Sequence, residues 1–245
     1  MSKLRWIASV GVLLFVAPIA AVAAKQLQTP MPATWREADW SSAHMAPDPT
    51  RNKEAIIQIY AARTGGWKGI VSDHCWIILK DKNGIAFDRY EVLGWGTAVR
   101  KNAYAADGHW YSNKPRIIAD VRGPAAEAIL GSIKQAIATY PYAGTGVYRL
   151  WPGPNSNSFV ADIARRVKGL DPDLPATAIG KDFLVREYIF DSAPSHTGWQ
   201  VSLYGIAGVL IAKKEGVELS IGGLVLGASL FERTLKLPAI GTIHY

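Results

Sequence analysis

The sequence predicts an α+β fold, in which a mostly antiparallel sheet is packed by two main helices and followed by a β-rich C-terminal extension. Apolar runs on both sides of Asn83-Gly84 indicate a hairpin, because this dipeptide favours tight hairpin turns. Apolar residues recur at helical spacing within 124–140 and 155–168. Short Gly-rich β-like runs fill 201–243. We therefore expect a single α+β domain over residues 53–245.

Composition narrows the classes of function. The chain has 245 residues, 49% of them hydrophobic, and a formal charge of +7. Basic residues cluster only in pairs such as Arg165-Arg166 and Lys213-Lys214, so we expect no nucleic-acid partner, although mild attraction to an anionic membrane is credible. The single cysteine, Cys75, excludes an internal disulfide and a cysteine-rich zinc site, and its apolar neighbours predict a buried thiol. No metal or cofactor is expected.

The N-terminus carries a targeting pattern. Lys3 and Arg5 precede an apolar run from Trp6, and small residues at 21–24 offer a cleavage site. Residues 1–24 are therefore predicted to be a signal peptide or, if uncut, a membrane anchor. Residues 25–52 are Pro-rich and predict a linker that lies partly on the domain surface. We expect the protein in the periplasm or on the periplasmic face of the inner membrane.

The first strands of the domain place two polar residues side by side. Strands are predicted over 55–61, 74–79 and 85–93, with a shorter one over 116–119. The strand over 74–79 is apolar on both faces, as expected of a central strand. His74 then lies on one arm of the predicted hairpin and Glu91 on the other.

Two helices follow these strands. Pro124 suits the first turn of a helix, and its buried face is marked by residues at spacing four, namely Ile129, Ile133 and Ile137. A rigid loop, 151–154, leads into the second helix, which runs to about Lys168 and which Asn155 or Ser156 can cap. Helical spacing places Ser156 on the same face as the apolar stripe formed by Phe159, Ile163 and Val167.

The remaining segments are predicted to be extended or turn-rich. Extended backbone is expected over 147–150, 179–184, 186–190, 200–204, 209–212, 217–221 and 224–226.

Three residues could form a catalytic set. A hydroxyl nucleophile needs a base within hydrogen-bond reach, and the base needs a partner that orients it. Ser156 at a helix start, His74 on a central strand and Glu91 on the hairpin partner could meet these needs. Glu91 could equally pair with Arg89 or Lys80 on the surface.

These residues carry a resemblance. A His that opens an apolar strand, followed downstream by Asn155-Ser-Asn-Ser-Phe-Val160 at a helix start, resembles the circularly permuted papain-like superfamily, which includes NlpC-type hydrolases and relatives of lecithin:retinol acyltransferase. Over residues 55–168 the resemblance implies that His74 is the base, that Ser156 stands at the nucleophile position and that Glu91 orients the His. Residues 169–245 would be the β-rich extension.

The chain also resembles a family of exported bacterial proteins of unknown function. The shared blocks are Gly-Trp-x-Gly, His-x-Trp-Ile, Tyr-Glu-Val-x-Gly-Trp-Gly and Trp-Pro-Gly-Pro-Asn-Ser-Asn. This resemblance implies no activity.

Ser156 departs from the papain-like pattern, which has Cys at that position. A thiolate–imidazolium mechanism is therefore excluded, because a serine hydroxyl loses its proton only in the transition state. Ser156 could be a nucleophile, line an inactive binding pocket, or simply start a helix. Asn155 and Asn157 could donate to an oxyanion or merely hold the turn.

Further candidate binding residues are aromatic or histidine. Trp76 on the His74 strand and His109 complete the candidate binding set. An aromatic and histidine group could line a sugar or peptide groove, although packing is the simpler interpretation; its members are Trp95, His109, Trp110, Tyr111, His196 and Trp199.

Two functions are consistent with the sequence. The first is an exported hydrolase or acyltransferase that acts on an amide or ester with a Ser-His-Glu arrangement. The second is a non-catalytic envelope-binding module that keeps the papain-like pocket. A cell-envelope peptide or lipid is the expected partner in either case, with membrane attachment through the N-terminal segment if it is not cleaved.

Overall fold

A computed structural model describes residues 3–186 and 189–245, and these form an α+β protein with two antiparallel sheets. The helices are α1 (Lys3–Leu27), α2 (Gly123–Ala138) and α3 (Ser156–Arg166). The strands are β1 (Ile56–Arg63), β2 (Asp73–Lys80), β3 (Asp88–Val92), β4 (Val99–Lys101), β5 (Arg116–Arg122), β6 (Phe190–Ser192), β7 (Gly198–Leu203), β8 (Ala207–Ala212), β9 (Gly216–Ile221), β10 (Leu224–Ser229), β11 (Thr234–Leu237) and β12 (Gly241–His244). A short 3₁₀ helix, Gly66–Ile70, joins β1 to β2.

Helix α1 is apolar on all sides. Its segment Ser9–Leu27 has a mean hydropathy of 2.0 and is long and apolar enough to cross a membrane. Such a helix at an N-terminus is compatible with a signal sequence or a membrane anchor. Most of its described side chains are exposed, which is costly in water and suits a helix made for lipid.

The first sheet has the strand order β4-β3-β2-β1-β5, and every pairing is antiparallel. Every residue of β2 is buried, which confirms the prediction of a central strand. The predicted hairpin is present, but the return strand β3 begins at Asp88 rather than near residue 85. Asn83 adopts a positive φ of 59° in the turn, a conformation that Asn tolerates better than most residues.

Helices α2 and α3 pack on one face of this sheet. Pro124 lies in the first turn of α2, and Ile133 and Ile137 are buried as the spacing predicts. Phe159 and Ile163 of α3 are fully buried in the same core. The two helices therefore cover the face of β2 that carries Cys75, Ile77 and Leu79.

The opposite face of the sheet is covered by the lead-in segment and by the loop between β4 and β5. Trp40 stacks on Tyr104 at 4.8 Å between ring centroids and meets Trp110 edge-on at 5.1 Å. These rings close a second apolar core around Tyr60 and Trp76. The predicted linker spans 25–52, but residues 25–27 belong to α1; residues 28–52 contain no helix or strand and rest on the domain through Trp40.

The second sheet is an antiparallel meander in the order β12-β11-β10-β9-β8-β7-β6. Its strands β7 to β10 match the predicted extended runs closely. The predicted extended runs over 147–150 and 179–184 do not form strands. Hydrogen bonds within the local chain hold them instead: Arg149 N donates to Pro154 O, and Phe183 N donates to Gly180 O. The run over 186–190 is described only in part, since residues 187–188 lie outside the described residues, and β6 begins at Phe190.

Candidate functional site

Adjacent strands bring His74 and Glu91 together. The register pairs Ile77 with Tyr90, so that His74 of β2 and Glu91 of β3 share the face turned away from α2 and α3. His74 Nε2 lies 2.8 Å from Glu91 Oε2. Both side chains are buried, which makes this a charged contact largely removed from water.

Arg89 completes this contact from the same strand as Glu91. Its guanidinium donates to Glu91 Oε2 at 2.7 Å and to Ala105 O at 2.7 Å, and its Cζ lies 4.1 Å from the centre of the Trp76 ring. Glu91 thus pairs with Arg89, one of the two partners considered from the sequence, but in the interior rather than on the surface. Lys80 instead donates to backbone carbonyls of the lead-in segment. The alternation of β3 could have revealed Arg89, because residues 89 and 91 share one face.

The surroundings hold His74 neutral and Glu91 ionised near neutral pH. Burial lowers the pKa of His74 below its ordinary value, and the hydrogen bond and charge of Glu91 only partly oppose this. Burial acts to raise the pKa of Glu91, but the hydrogen bond from His74 and the charge of Arg89 outweigh it and hold that pKa below its ordinary value. With Nε2–H donated to Glu91, the other ring nitrogen, Nδ1, is the basic one.

The His74 ring is fixed by stacking as well as by this hydrogen bond. It lies against Trp110 with 3.8 Å between centroids and 12° between planes. Trp110 belongs to the aromatic group proposed from the sequence, and its role here is to hold the imidazole plane. Trp76 lies on the other side of this network: its ring centroid is 5.8 Å from that of His74, and its indole N–H donates to Ala106 O. His109 does not line the cleft, and its Nδ1 lies 3.0 Å from Ser41 O.

The start of α3 is built by a capping box. The Asn155 side chain accepts from the N–H groups of Asn157 and Ser158, and Ser158 Oγ accepts from the N–H of Asn155. Asn155 is therefore the cap, and Ser156 is the first helical residue. Among the described residues no acceptor takes the Ser156 N–H, which leaves it as the one first-turn donor free for a ligand.

The side-chain amides of Asn155 and Asn157 hold the turn. Asn155 Nδ2 donates to Leu150 O and Ile179 O, and Asn157 Nδ2 donates to Asp73 O and Ile179 O, all within 3.0 Å. These donors are thus committed to backbone carbonyls, which leaves the Ser156 N–H as the better candidate for an oxyanion donor.

One cleft of about 280 Å³ joins the two halves of this arrangement. His74, Ser156, Asn155 and Asn157 all line it, with Tyr148 and others on its wall. His74 and Ser156 reach it from opposite faces of the first sheet, beside the N-terminal end of β2. Ser156 is 3% exposed, and its hydroxyl forms no hydrogen bond with His74 or with any other described residue.

An aromatic cleft of about 360 Å³ adjoins the first one. Its lining consists of Trp35, Trp40, Trp95, Tyr104 and Tyr111. Trp95 and Tyr111 line both clefts. Of the aromatic group proposed from the sequence, His196 and Trp199 lie apart: His196 Nε2 is 2.9 Å from Ala164 O, and Trp199 is on the second sheet.

The fold and site define an α+β protein in which a buried network of His74, Glu91 and Arg89 borders a cleft. Residues 54–183 match the model of a family described as Protein of unknown function (DUF3750), and the chain belongs to this family. The match contains His74, Glu91 and Ser156 and ends before the second sheet. Searches of curated proteins and of solved structures found no match.

Proposed function

We propose that the cleft catalyses hydrolysis or transfer of an acyl group held in an amide or ester, with Ser156 as nucleophile, His74 as base and Glu91 as the group that orients the base. The observation that carries this proposal is the neutral, doubly fixed His74 imidazole on the same cleft as Ser156. A buried network that orients one histidine beside a cleft is typical of acid–base sites.

Each step follows from the chemistry of these groups. His74 Nδ1 removes the proton from Ser156 Oγ as Oγ bonds to the carbonyl carbon, and the carbonyl π electrons move onto oxygen. The Ser156 N–H donates to that oxyanion. The intermediate collapses, the leaving amine or alcohol takes the proton from His74, and the acyl group stays on Ser156. Water, or another acceptor that His74 deprotonates, then releases it.

The order of the parts supports a permuted papain-like origin of the site. A base on a strand precedes a nucleophile at the N-terminus of a helix, and that helix packs on the base-bearing strand. Ser156 must change rotamer, or substrate must draw the two side chains together, because catalytic hydrogen bonds often tighten only when substrate binds. The apolar N-terminal helix favours export, so a cell-envelope peptide or lipid is the proposed substrate.

A second candidate is a binding module that keeps this pocket without catalysis. It is favoured by the missing hydrogen bond between Ser156 and His74 and by the adjoining aromatic cleft, which offers stacking surface for a ligand. In that case Ser156 acts only as the first residue of α3.

A serine-directed probe distinguishes the two. We expect a fluorophosphonate to label the purified full-length protein and Ser156→Ala to abolish the labelling. Ser72→Ala is the matched control, because Ser72 lines the same cleft and its hydroxyl donates to the neighbouring carbonyl of Asp73. Glu91→Gln should slow labelling by about 10²-fold, since it removes the carboxylate that orients the base.

Labelling that survives Ser156→Ala would show that Ser156 is not the nucleophile. Absence of labelling in a folded wild-type protein, together with ligand binding that Ser156→Ala leaves unchanged, would favour the binding module.

A further inference from the structure

The second sheet turns its apolar face outward. On β7 to β9 the exposed positions alternate along each strand and are all apolar, namely Trp199, Val201, Leu203, Val209, Ile211, Val217, Leu219 and Ile221. Six intervals between strands make the sheet roughly 30 Å wide. No described side chain on the outward positions of these three strands is charged. The exposed apolar residues of β7 to β9 lie side by side on this face, and a contiguous apolar patch exposed to water marks an interaction surface.

The inward face of the same sheet carries polar and charged residues, and those near its centre pair with groups beneath the sheet. Glu218 of β9 accepts hydrogen bonds from both Lys181 and Lys236, and Gln200 of β7 bonds with Arg165 and with Asp182. Burial acts to raise the pKa of Glu218, but the two lysine charges outweigh it and lower that pKa.

These partnerships fix which face looks outward. A slip of one residue in β9 would expose Glu218, whose lysine partners lie inside, and would bury the apolar Val217 and Leu219 in its place. The register of the strands therefore determines that the apolar face points outward.

Helix α1 identifies the kind of surface that this face meets. It contacts β10 and β11 of this sheet, and the outward side chains of β10, Leu224 and Leu226, are half-buried where those of β7 to β9 are exposed. A helix fit to cross a bilayer thus lies against the apolar sheet. If α1 stays as an anchor, it holds the sheet beside lipid; if it is removed, the apolar face becomes larger.

The turns at one end of the meander suit an anionic membrane surface. Lys213 Nζ lies 4.4 Å from the centre of the Phe231 ring, and Arg233 follows in the same turn as Phe231. Neither Lys213 nor Arg233 has an ion-pair partner among the described residues. Exposed Leu230 and Phe231, together with these two cations and the acidic residue of the same turn, Glu232, form a mixture of apolar and net basic groups, which is typical of segments that enter the headgroup region.

We propose that the outward face of β7 to β9, with the turns that carry Lys213 and Arg233, docks on the surface of a lipid bilayer that contains anionic lipids. The sheet lies on the headgroup and upper acyl region and does not span it, because its edge strands carry unpaired backbone groups that the hydrocarbon core would not satisfy. This proposal does not depend on the chemistry of the Ser156 cleft.

The test uses a fluorescent label at one position of the full-length protein in vesicles of phosphatidylcholine and phosphatidylglycerol. Ile211→Cys and, separately, Val217→Cys carry an environment-sensitive dye on the apolar face. Lys82→Cys is the control, because Lys82 is exposed on the hairpin of the first sheet. Cys75 is buried and stays unlabelled, which wild-type protein verifies. Lipids with a nitroxide on the acyl chain and aqueous iodide serve as quenchers.

We expect iodide to quench the dye at 211 and 217 at least about 3-fold less than at 82, and nitroxide lipid to quench only the first two. Equal iodide quenching at all three positions would overturn the proposal. Protection from iodide without quenching by nitroxide lipid, together with cross-linking of 211 to 211 between copies, would also overturn it and assign the face to a second copy of the chain. Two labelled positions guard against one variant that fails to fold.

Discussion

Replacement of Asn155 tests how the start of α3 is held. Asn155→Ala removes the cap that serves two N–H groups and also removes two donated hydrogen bonds, to Leu150 O and Ile179 O. Loss of an N-cap costs about 1 kcal/mol. Ile179 O keeps the bond from Asn157 Nδ2, so only Leu150 O, which is part-buried, loses its side-chain donor, and loss of such a hydrogen bond costs about 0.5–1.5 kcal/mol. We expect the free energy of unfolding to fall by about 1.5–2.5 kcal/mol.

The assay is urea unfolding of the full-length protein in mild detergent, followed by circular dichroism. With an m-value of about 3 kcal/mol/M, the loss for Asn155→Ala moves the midpoint by about 0.5–0.8 M. Asn155→Asp is the matched control, since its carboxylate still caps the helix and favours the positive helix end, while its donors are gone. It should lose less than the Ala variant.

Two results would refute this account. A loss below 1 kcal/mol for Asn155→Ala would show that the buried amide is not holding the turn. Equal losses for Asn155→Ala and Asn155→Asp would show that the cap contributes nothing and that the donated bonds account for the whole effect.

Three further predictions concern buried ionisable groups. The pKa of His74 is lowered on folding, so its contribution to stability is present above pH 6.5 and is lost as the pH falls below that value. His74→Gln should therefore flatten the decline in stability on the acid side, which urea midpoints measured across pH would show. Glu218→Gln leaves Lys236 buried without its anion and leaves Lys181 with Asp182 alone, at 3.5 Å, so it should cost about 3–5 kcal/mol in thermal or urea unfolding; a loss below 1 kcal/mol would contradict the network. Burial raises the pKa of Cys75, so a thiol reagent should modify it only in denaturant, and rapid modification of the native protein would disprove its burial.

The sequence was most informative where local chemistry decides structure. Asn83-Gly84 located the hairpin and thereby put His74 and Glu91 on neighbouring strands, and Asn155 located the start of α3. Helical periodicity gave the buried face of α2. Each of these signals involves residues within a few positions of one another, which is why sequence alone could carry them.

Other features depend on contacts between distant segments and could not be predicted in this way. The stacking of Trp110 on His74 joins a loop to a strand 36 positions earlier in the sequence, and no periodic pattern predicts this contact. The approach of Ser156 and His74 from opposite faces of one sheet follows from the register and from which face the helices cover. The sequence predicts an extended run over 179–184, but the run is held in turns, because Ile179 O accepts from both Asn155 and Asn157 and Phe183 N donates to Gly180 O.

The paired charges beneath the second sheet bear on where the protein can be divided. The family match ends at residue 183, but Lys181 has its anion at Glu218, and Arg165 has Gln200 as its partner. Arg63 of β1 also donates to Ala239 O near the end of the chain. A fragment that ends at the family boundary would keep Lys181 and Arg165 but lose their partners Glu218 and Gln200 on the second sheet. The residues that pack together therefore extend beyond the family match, and we expect such a fragment to be less stable than the full chain.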